Sequence, residues 1–151
     1  MSHARVRRLF AAALTSYASG KGYTVSHDNV KTKFEGFTHI RSHLIPVDTF
    51  SDTLSGDHTG FIGMYQMTVV TKLGTGVLDS ELVLEELQQV FVNNKRFVDD
   101  TGFSVQVVSP IKSPEGKQID GEWVVPCYFN YRSDIQIKIS KEETNHGLSF
   151  A

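Results

Sequence analysis

The stretch FIGMYQMTVVTK, residues 61–72, decides the fold. Its side chains alternate between two faces with the period of two that is typical of a β-strand. Apolar residues occupy both faces at its ends, which indicates a strand inside a sheet rather than at its edge. The next residues, LGTG at 73–76, form a turn signal that ends the strand. We therefore predict a sheet in which this segment is a central strand.

Two segments outside this strand have helical spacing. Apolar residues recur every three or four positions within residues 3–18, which predicts an amphipathic helix that Gly20 and Gly22 end. A second helix is predicted from Asp79 or Ser80 to about residues 93–94, followed by Lys95 and Arg96. Three glutamates crowd its first half, where the helix dipole favours negative charge.

The other segments favour β-structure. The residues between the first helix and the sheet, 23–36, predict a short strand and a polar loop. The segment FTHIRSHLIPV, residues 37–47, predicts a half-buried strand that Pro46 ends, and residues 48–60 predict an exposed loop about twelve residues long. Strands are also expected at 103–109 and 122–140, the latter being one strand or two, with Pro126 at a sheet edge or a bulge.

The predicted element order is α-β-β-β-α-β-β. It favours an α+β fold in which two helices pack on one face of a mainly antiparallel sheet. The length of 151 residues fits one domain spanning 1–151, with a loosely ordered C-terminal tail at about 141–151. No apolar run approaches the roughly 20 residues that cross a bilayer. The first residues, MSHARVRRLFAAAL, have basic and apolar parts like a signal peptide, but their helical spacing predicts that they fold with the domain.

Charge is distributed unevenly along the chain. Residues 1–45 contain seven basic and two acidic side chains, residues 46–92 contain one and seven, and residues 93–151 contain seven and eight. The net charge of −2 is too small for bulk electrostatic attraction to nucleic acid or a membrane. The basic and acidic segments could pair between neighbouring copies in a head-to-tail interface. Pairing within one subunit is the alternative, and the sequence leaves both open.

No motif in the sequence carries a known chemistry. The GTG turn lacks the third glycine of a dinucleotide fingerprint. His39 and His43 share a strand face but lie about 13 Å apart, so we interpret them as solvated residues or subunit contacts rather than metal ligands. Cys127 follows Pro126 in an apolar strand without a nearby cation, which is typical of an inert thiol. We predict no catalytic residue, no cofactor, no metal and no enzyme activity.

The order of these signals resembles the tail terminator proteins of long-tailed, siphovirus-type bacteriophages. The resemblance covers about residues 6–132 and comprises an N-terminal amphipathic helix, the strand ending in Pro46, GMYQMTVV, the GTG turn, ELVLEELQQVF, FSVQVV and a closing WVVP strand. It implies a structural virion protein that forms a hexameric ring, caps the tail tube, ends tube polymerisation and provides the surface for head-to-tail joining.

The implied partners are further copies of the chain, the tail tube protein and a head-completion or connector protein. Phage DNA would pass through the ring without specific binding, and no membrane is involved. The implied location is the head-proximal end of the tail, after assembly in the host cytoplasm.

Two groups of charged residues are candidates for assembly contacts. For the subunit interface, the basic candidates are Arg5, Arg8 and Arg41, and the acidic ones are Glu81, Glu85 and Glu86. Asp48, Asp52 and Asp57 in the predicted loop are candidates to face the tail tube or the lumen. The alternative function is a head-tail connector or adaptor, or another non-enzymatic protein-protein interaction module.

Overall fold

A computed structural model of the chain describes residues 2–27, 38–51, 53–72, 78–119 and 121–136. Two helices and seven strands lie in this part of the chain. In order they are α1 (Ser2–Lys21), β1 (Thr24–Ser26), β2 (His39–Phe50), β3 (His58–Lys72), α2 (Leu78–Val90), β4 (Arg96–Val98), β5 (Ser104–Val107), β6 (Lys117–Ile119) and β7 (Glu122–Gln136). The predicted loop before residue 37, the GTG turn and the predicted tail lie outside the described residues.

The described strands form one sheet with the order β1-β2-β3-β7-β5-β4, and β6 pairs with β7 beside this path. β1 is parallel to β2, and the other pairs are antiparallel. β3 lies between the two long strands β2 and β7, which confirms its predicted central position. The α+β class and the mainly antiparallel sheet are also confirmed.

One face of the sheet is closed by aromatic and aliphatic side chains. Tyr65 of β3 lies opposite Leu44 of β2 and Phe129 of β7, and all three are buried. The ring of Phe10 from α1 lies 5.1 Å from the rings of both Tyr65 and Phe129. Phe91, directly after α2, also contacts Tyr65. The prediction that both helices cover this one face stays a prediction, and these contacts support it.

The first helix extends past its predicted end. α1 continues through Gly20 and ends at Lys21, and Gly22 has a φ of 76°. Glycine adopts this left-handed conformation without the steric cost of a Cβ. The amide of Tyr23 donates to the Ala18 carbonyl at 2.9 Å and satisfies one of the last carbonyls of the helix.

The second helix ends earlier than predicted, at Val90. The Lys95 ammonium donates to the Val90 carbonyl at 3.3 Å, so this cation does lie at the negative end of the helix. Asn94 has a φ of 73°, which turns the chain toward β4. Arg96 lies in β4, a three-residue strand that the sequence did not predict.

The predicted loop at 48–60 is wrong in its extent. β2 continues through Pro46 to Phe50 and β3 begins at His58, so the two strands form a long hairpin. Phe50 pairs with Gly60, and the register shifts between Pro46 and Asp48, which leaves Val47 as an extra residue. A bulge allows a strand to continue past a proline. The residues after the bulge are mostly Ser, Thr and Asp, whose composition is typical of a loop, so the sequence did not indicate the pairing there.

Pro126 lies within β7 and pairs with Thr68 of β3 without a break in register. Its carbonyl faces the other side, where it accepts a hydrogen bond from Ser113 at 3.0 Å. On that side the pairing with β6 stops at Val124, and Tyr128 forms only a single bridge with Lys112. The proline therefore lies at a locally open edge, which was one of the two predicted positions, the other being a bulge. β7 is one continuous strand as far as Gln136.

Candidate functional site

The tip of the β2–β3 hairpin is a polar turn with one apolar side chain at its outside. The Asp57 carboxylate accepts hydrogen bonds from the hydroxyls of Thr53 at 2.6 Å and Ser55 at 2.9 Å. These bonds lower the pKa of Asp57, so the carboxylate stays charged. Gly56 adopts a φ of 73°, and Leu54 is fully exposed. The turn therefore presents a leucine beside a negative charge.

A polar cluster fixes the base of this hairpin to β7. Nε2 of His58 lies 2.7 Å from an Asp134 carboxylate oxygen, and the Arg132 guanidinium donates to the same carboxylate at 3.0 and 3.1 Å. The guanidinium also lies over the Phe50 ring at 5.1 Å. Arg132 holds the pKa of Asp134 below its usual range, with a smaller contribution from His58. The cluster thus joins both hairpin strands to the neighbouring strand.

His3 connects the start of α1 to the same region. Its Nδ1 lies 2.7 Å from the Tyr131 hydroxyl, and its Nε2 lies 3.1 Å from the Thr49 hydroxyl. Burial lowers the pKa of His3, and the positive chain terminus adds to this shift. A mainly neutral imidazole at this position can donate to one of the two hydroxyls and accept from the other.

The outer surface of α2 is acidic and partly apolar. Val83 and Leu87 belong to the buried core, and at 100° per residue Glu81 and Glu85 lie on the opposite side of the helix. Leu82, between them, is 52% exposed. No basic residue occurs in this helix.

Glu86 has a different position from the other two glutamates. Its carboxylate lies 2.6 Å from the Lys21 ammonium and accepts a hydrogen bond from the Tyr17 hydroxyl at 2.8 Å. Both bonds lower the pKa of Glu86. Glu86 therefore joins α1 to α2 within one subunit, which is the intramolecular alternative that the sequence left open.

The sheet face away from the core carries exposed apolar side chains. Ile45 lies opposite Met64, and Val47 lies at the bulge beside Ile62. The amide of Val108 donates a hydrogen bond to the carbonyl of Asn130, and Asn130 lies opposite Met64. Ile45, Val47 and Val108 are 36%, 62% and 44% exposed. A shallow groove lined by Val47, Ile62, Val108 and Arg132 runs across this part of the face. We call this surface the open face. It comprises the outward residues of β2 from Arg41 to Val47, their neighbours on β3 and β7, and Val108 directly after β5.

The structure separates the three basic candidates. Arg5 and Arg8 lie on α1, beside the loop that contains Asp99 and Thr101. The Arg5 guanidinium contacts the Phe103 ring at 5.5 Å. Arg41 lies on the open face opposite Thr68. The interface role of these residues stays a prediction, but the three do not form one patch.

The aspartate candidates are also separated. Asp48 lies on β2 opposite Ile62 and is exposed, so it is a strand residue rather than a loop residue. Asp52 lies outside the described residues. Asp57 lies at the hairpin tip. Of the two described aspartates, Asp57 lies in a turn as expected, and the tube- or lumen-facing role of all three stays a prediction.

Two residues considered for chemistry are buried. His39 is 4% exposed, so its interpretation as a solvated residue is wrong, and burial lowers its pKa. It lies at the start of β2 opposite Val70, which is also buried. Cys127 is fully buried, and loss of solvent raises its pKa to about 12, as expected for an inert thiol.

Among the described residues, no group of three His, Cys, Asp or Glu side chains is arranged to hold a metal ion. No helix in the same part of the chain has the length and apolar character to cross a membrane.

The sequence did not identify the exposed apolar residues as functional candidates. Leu54 lies in a run of Ser, Thr, Asp and Gly, where a single large aliphatic residue was a usable signal. Val47 follows Pro46, and the strand alternation was expected to stop there. The exposure of Val47 depends on the bulge, which no local pattern predicts.

Comparison with known proteins identifies the family. The family model for phage tail terminator protein matches residues 5–131. No curated protein matches the chain. A solved structure has 28% sequence identity and a TM-score of 0.75 to this chain, and the match covers 88% of this chain and 96% of the other. The family match includes the hairpin, α2 and most of α1 and β7. The chain therefore belongs to the phage tail terminator proteins, structural components of the virion tail that interact with other tail or head proteins.

Proposed function

We propose that this chain forms a hexameric ring on the end of the tail tube of a long-tailed, siphovirus-type phage, and that the ring stops tube polymerisation. Its other side offers the surface for head-completion or connector proteins. The observation that carries the proposal is the family match over residues 5–131, which covers the β2–β3 hairpin, α2 and most of α1 and β7. The protein acts by binding and has no catalytic step. It takes this position at the head-proximal end of the tail after assembly in the host cytoplasm.

The dimensions of the domain support a ring that DNA can cross. A chain of 151 residues has a radius of gyration of about 15 Å, and hence a diameter of roughly 38 Å. A closed ring of six touching spheres leaves an opening of about the same diameter. A DNA duplex is roughly 20 Å wide and can pass. A lumen without rows of Lys and Arg lets the DNA slide, since phosphate contacts would hold it.

We further propose that the hairpin tip contacts the tail tube rather than the lumen. Leu54 is fully exposed on a turn that Asp57 organises through two hydrogen bonds. A leucine that faced a water-filled DNA channel would stay hydrated and would contribute no burial free energy to binding. Against a protein surface, burial of a leucine contributes about 1.5–3 kcal/mol.

Gene deletion tests the proposed function most directly. In the phage that encodes this chain, loss of the gene should give tails of uncontrolled, mostly excessive length in electron micrographs. Expression of the wild-type chain from a plasmid should restore the normal length. Tails of normal length that lack heads would instead support the connector or adaptor alternative. Normal virions from the deletion strain would contradict both functions.

A test with purified components is independent of infection. Tail tube protein polymerising alone should give long tubes, and addition of this chain should stop growth and leave a ring at one tube end. A variant with Ser16→Ala, a change at an exposed position of α1, should act like wild type. Growth that continues at saturating concentrations of the chain would contradict the proposal.

A further inference from the structure

We infer that neighbouring copies associate by docking the outer surface of α2 on the open face of the next copy. This inference rests on the proposed ring and names the two surfaces that build it. The acidic surface consists of Glu81, Leu82 and Glu85. The receiving surface consists of Arg41, His43 and Ile45 on β2, with Val47 and Val108 beside them.

The two surfaces lie on opposite sides of the subunit. Val83 and Leu87 of α2 pack in the core with Tyr65, whose side chain is on the covered side of β3. Glu81 and Glu85 therefore point away from the sheet on that side. Arg41 and Ile45 alternate with buried Ile40 and Leu44, and so they point to the other side. Two different surfaces on opposite sides give a head-to-tail contact, which closes into a ring when the rotation between copies permits.

Charge supports the pairing of these two surfaces. α2 contains Asp79, Glu81, Glu85 and Glu86 without a basic residue. Glu86 is neutralised by Lys21, and the other three carboxylates are exposed. On the open face, the β2 segment from Arg41 to Val47 contains one arginine, one histidine and no acidic residue.

Among the residues that the structure describes, the acidic side chains of the open face lie beyond this segment. Asp134 is held by Arg132 and His58 at the hairpin base. Asp48 follows the bulge, and Glu122 lies at the far end of β7, opposite Lys72. The part of the face with the basic residues is thus the part that an acidic helix fits.

The spacing of the charges also matches. Glu81 and Glu85 are one helical turn apart, which is about 6 Å along the axis. Arg41 and His43 are two residues apart on a strand, which is about 6.6 Å. A helix lying along β2 can therefore place one carboxylate beside each basic side chain, with Leu82 next to the exposed apolar residues. Solvent-exposed ion pairs contribute little each, so the orientation comes from the charges and much of the affinity comes from apolar contact.

Charge reversal and its rescue test this inference. Association of the purified chain should be measured by light scattering and sedimentation at low salt, and on tube ends by electron microscopy. Arg41→Glu and Glu85→Arg should each raise the concentration needed for half-assembly by roughly tenfold or more, because like charges then face each other. The double variant should recover assembly, and so should an equal mixture of the two single variants, whose copies can alternate. Ser16→Ala, at an exposed position of α1 outside the two proposed surfaces, is the control.

Chemical cross-linking locates the contact itself. The pair Leu82→Cys and Ile45→Cys, treated with a short bis-maleimide, should give covalent oligomers from assembled rings or capped tubes. The pair Ser16→Cys and Ile45→Cys should give no covalent oligomers, because Ser16, although exposed, lies on α1 outside the proposed contact. Cys127 is fully buried and stays unmodified in the folded chain.

The outcomes separate this inference from the proposed function. If wild type forms rings or caps tubes, but the single variants are not rescued and the Leu82–Ile45 cross-link does not form, the inference is overturned. The capping function then still stands. A wild-type chain that neither forms rings nor caps tubes would overturn both. Rescue together with the cross-link supports the docking of α2 on the open face.

Discussion

The two faces of the sheet in this protein have opposite chemistry. On the covered face, Tyr65 and Phe129 contact each other and the Phe10 ring of α1, and all three are buried. The open face combines Arg41 and His43 with partly exposed aliphatic side chains. Side chains on the first face pack against neighbours within the subunit, whereas Ile45 and Val47 on the second are partly exposed to solvent. Substitutions on the two faces should therefore have different effects: those on the covered face should mainly change stability, and those on the open face should mainly change the proposed association between copies.

The largest expected effect is on the covered face. Phe10→Ala removes a ring that contacts Tyr65, Phe91, Phe97, Phe129 and Tyr131. It should lower the free energy of unfolding by about 3–5 kcal/mol and the Tm by roughly 10 °C, because the cavity cannot fully collapse. Thermal unfolding followed by circular dichroism measures this. Ser16→Ala, at an exposed position of the same helix, is the control, and equal Tm values for the two variants would contradict the assignment of the core.

A smaller effect is expected where the backbone itself is close-packed. A Cβ at Gly63 would lie 2.5 Å from the Tyr131 hydroxyl and 2.6 Å from the Ile45 carbonyl oxygen. Gly63→Ala should therefore destabilise the fold by about 1–3 kcal/mol in denaturant unfolding. The matched control is Gly20→Ala, where a Cβ meets nothing within 4 Å inside α1. That change should stabilise the protein by about 0.5–1 kcal/mol, and the same sign for both variants would contradict the packing at Gly63.

The faces also differ in how far the sequence predicted them. Tyr65 and Met67 follow a period of two, and Phe10 follows the helical period, so the covered face was accessible from pattern alone. The bulge at Val47 and the pairing of Phe50 with Gly60 were not, since both depend on contacts across the hairpin. The separation of Arg5 from Arg41 onto different sides of the sheet is likewise a property of topology. Charge along the chain identified acidic and basic segments, and only the fold showed which of their residues share a surface.

The contact between the two helices should contribute a smaller, pH-dependent stabilisation. Tyr17→Phe removes the hydrogen bond to Glu86 and should cost about 1 kcal/mol. The folded-state pKa of Glu86 lies below its ordinary value of 4.5, so its contribution is present above pH 4.5 and is lost as the pH falls through the lowered pKa. The pKa of Lys21 is raised above 10.5 by Glu86, so its contribution is present below pH 10.5 and is lost as the pH rises through the raised value.

Glu86→Gln therefore should reduce the change in Tm between pH 6 and acid relative to wild type. Gln89→Ala, an uncharged change on the exposed side of α2, should retain the wild-type profile. Identical Tm profiles for Glu86→Gln and wild type would show that this contact does not stabilise the fold.

The smallest expected effect on stability, and the sharpest functional contrast, is at the hairpin tip. Leu54 is fully exposed, so Leu54→Ser should change the free energy of unfolding by less than about 0.5 kcal/mol. If the tip contacts the tail tube, this variant should cap tubes at a several-fold higher concentration than wild type, since it loses apolar burial in the complex. Asp57→Asn should weaken capping less, provided the turn keeps its hydrogen bonds from Thr53 and Ser55. Full capping by the folded Leu54→Ser variant would exclude this tip from the tube contact. In that case the open face, with Val47 exposed at its bulge, is the next surface on which to look for the tube.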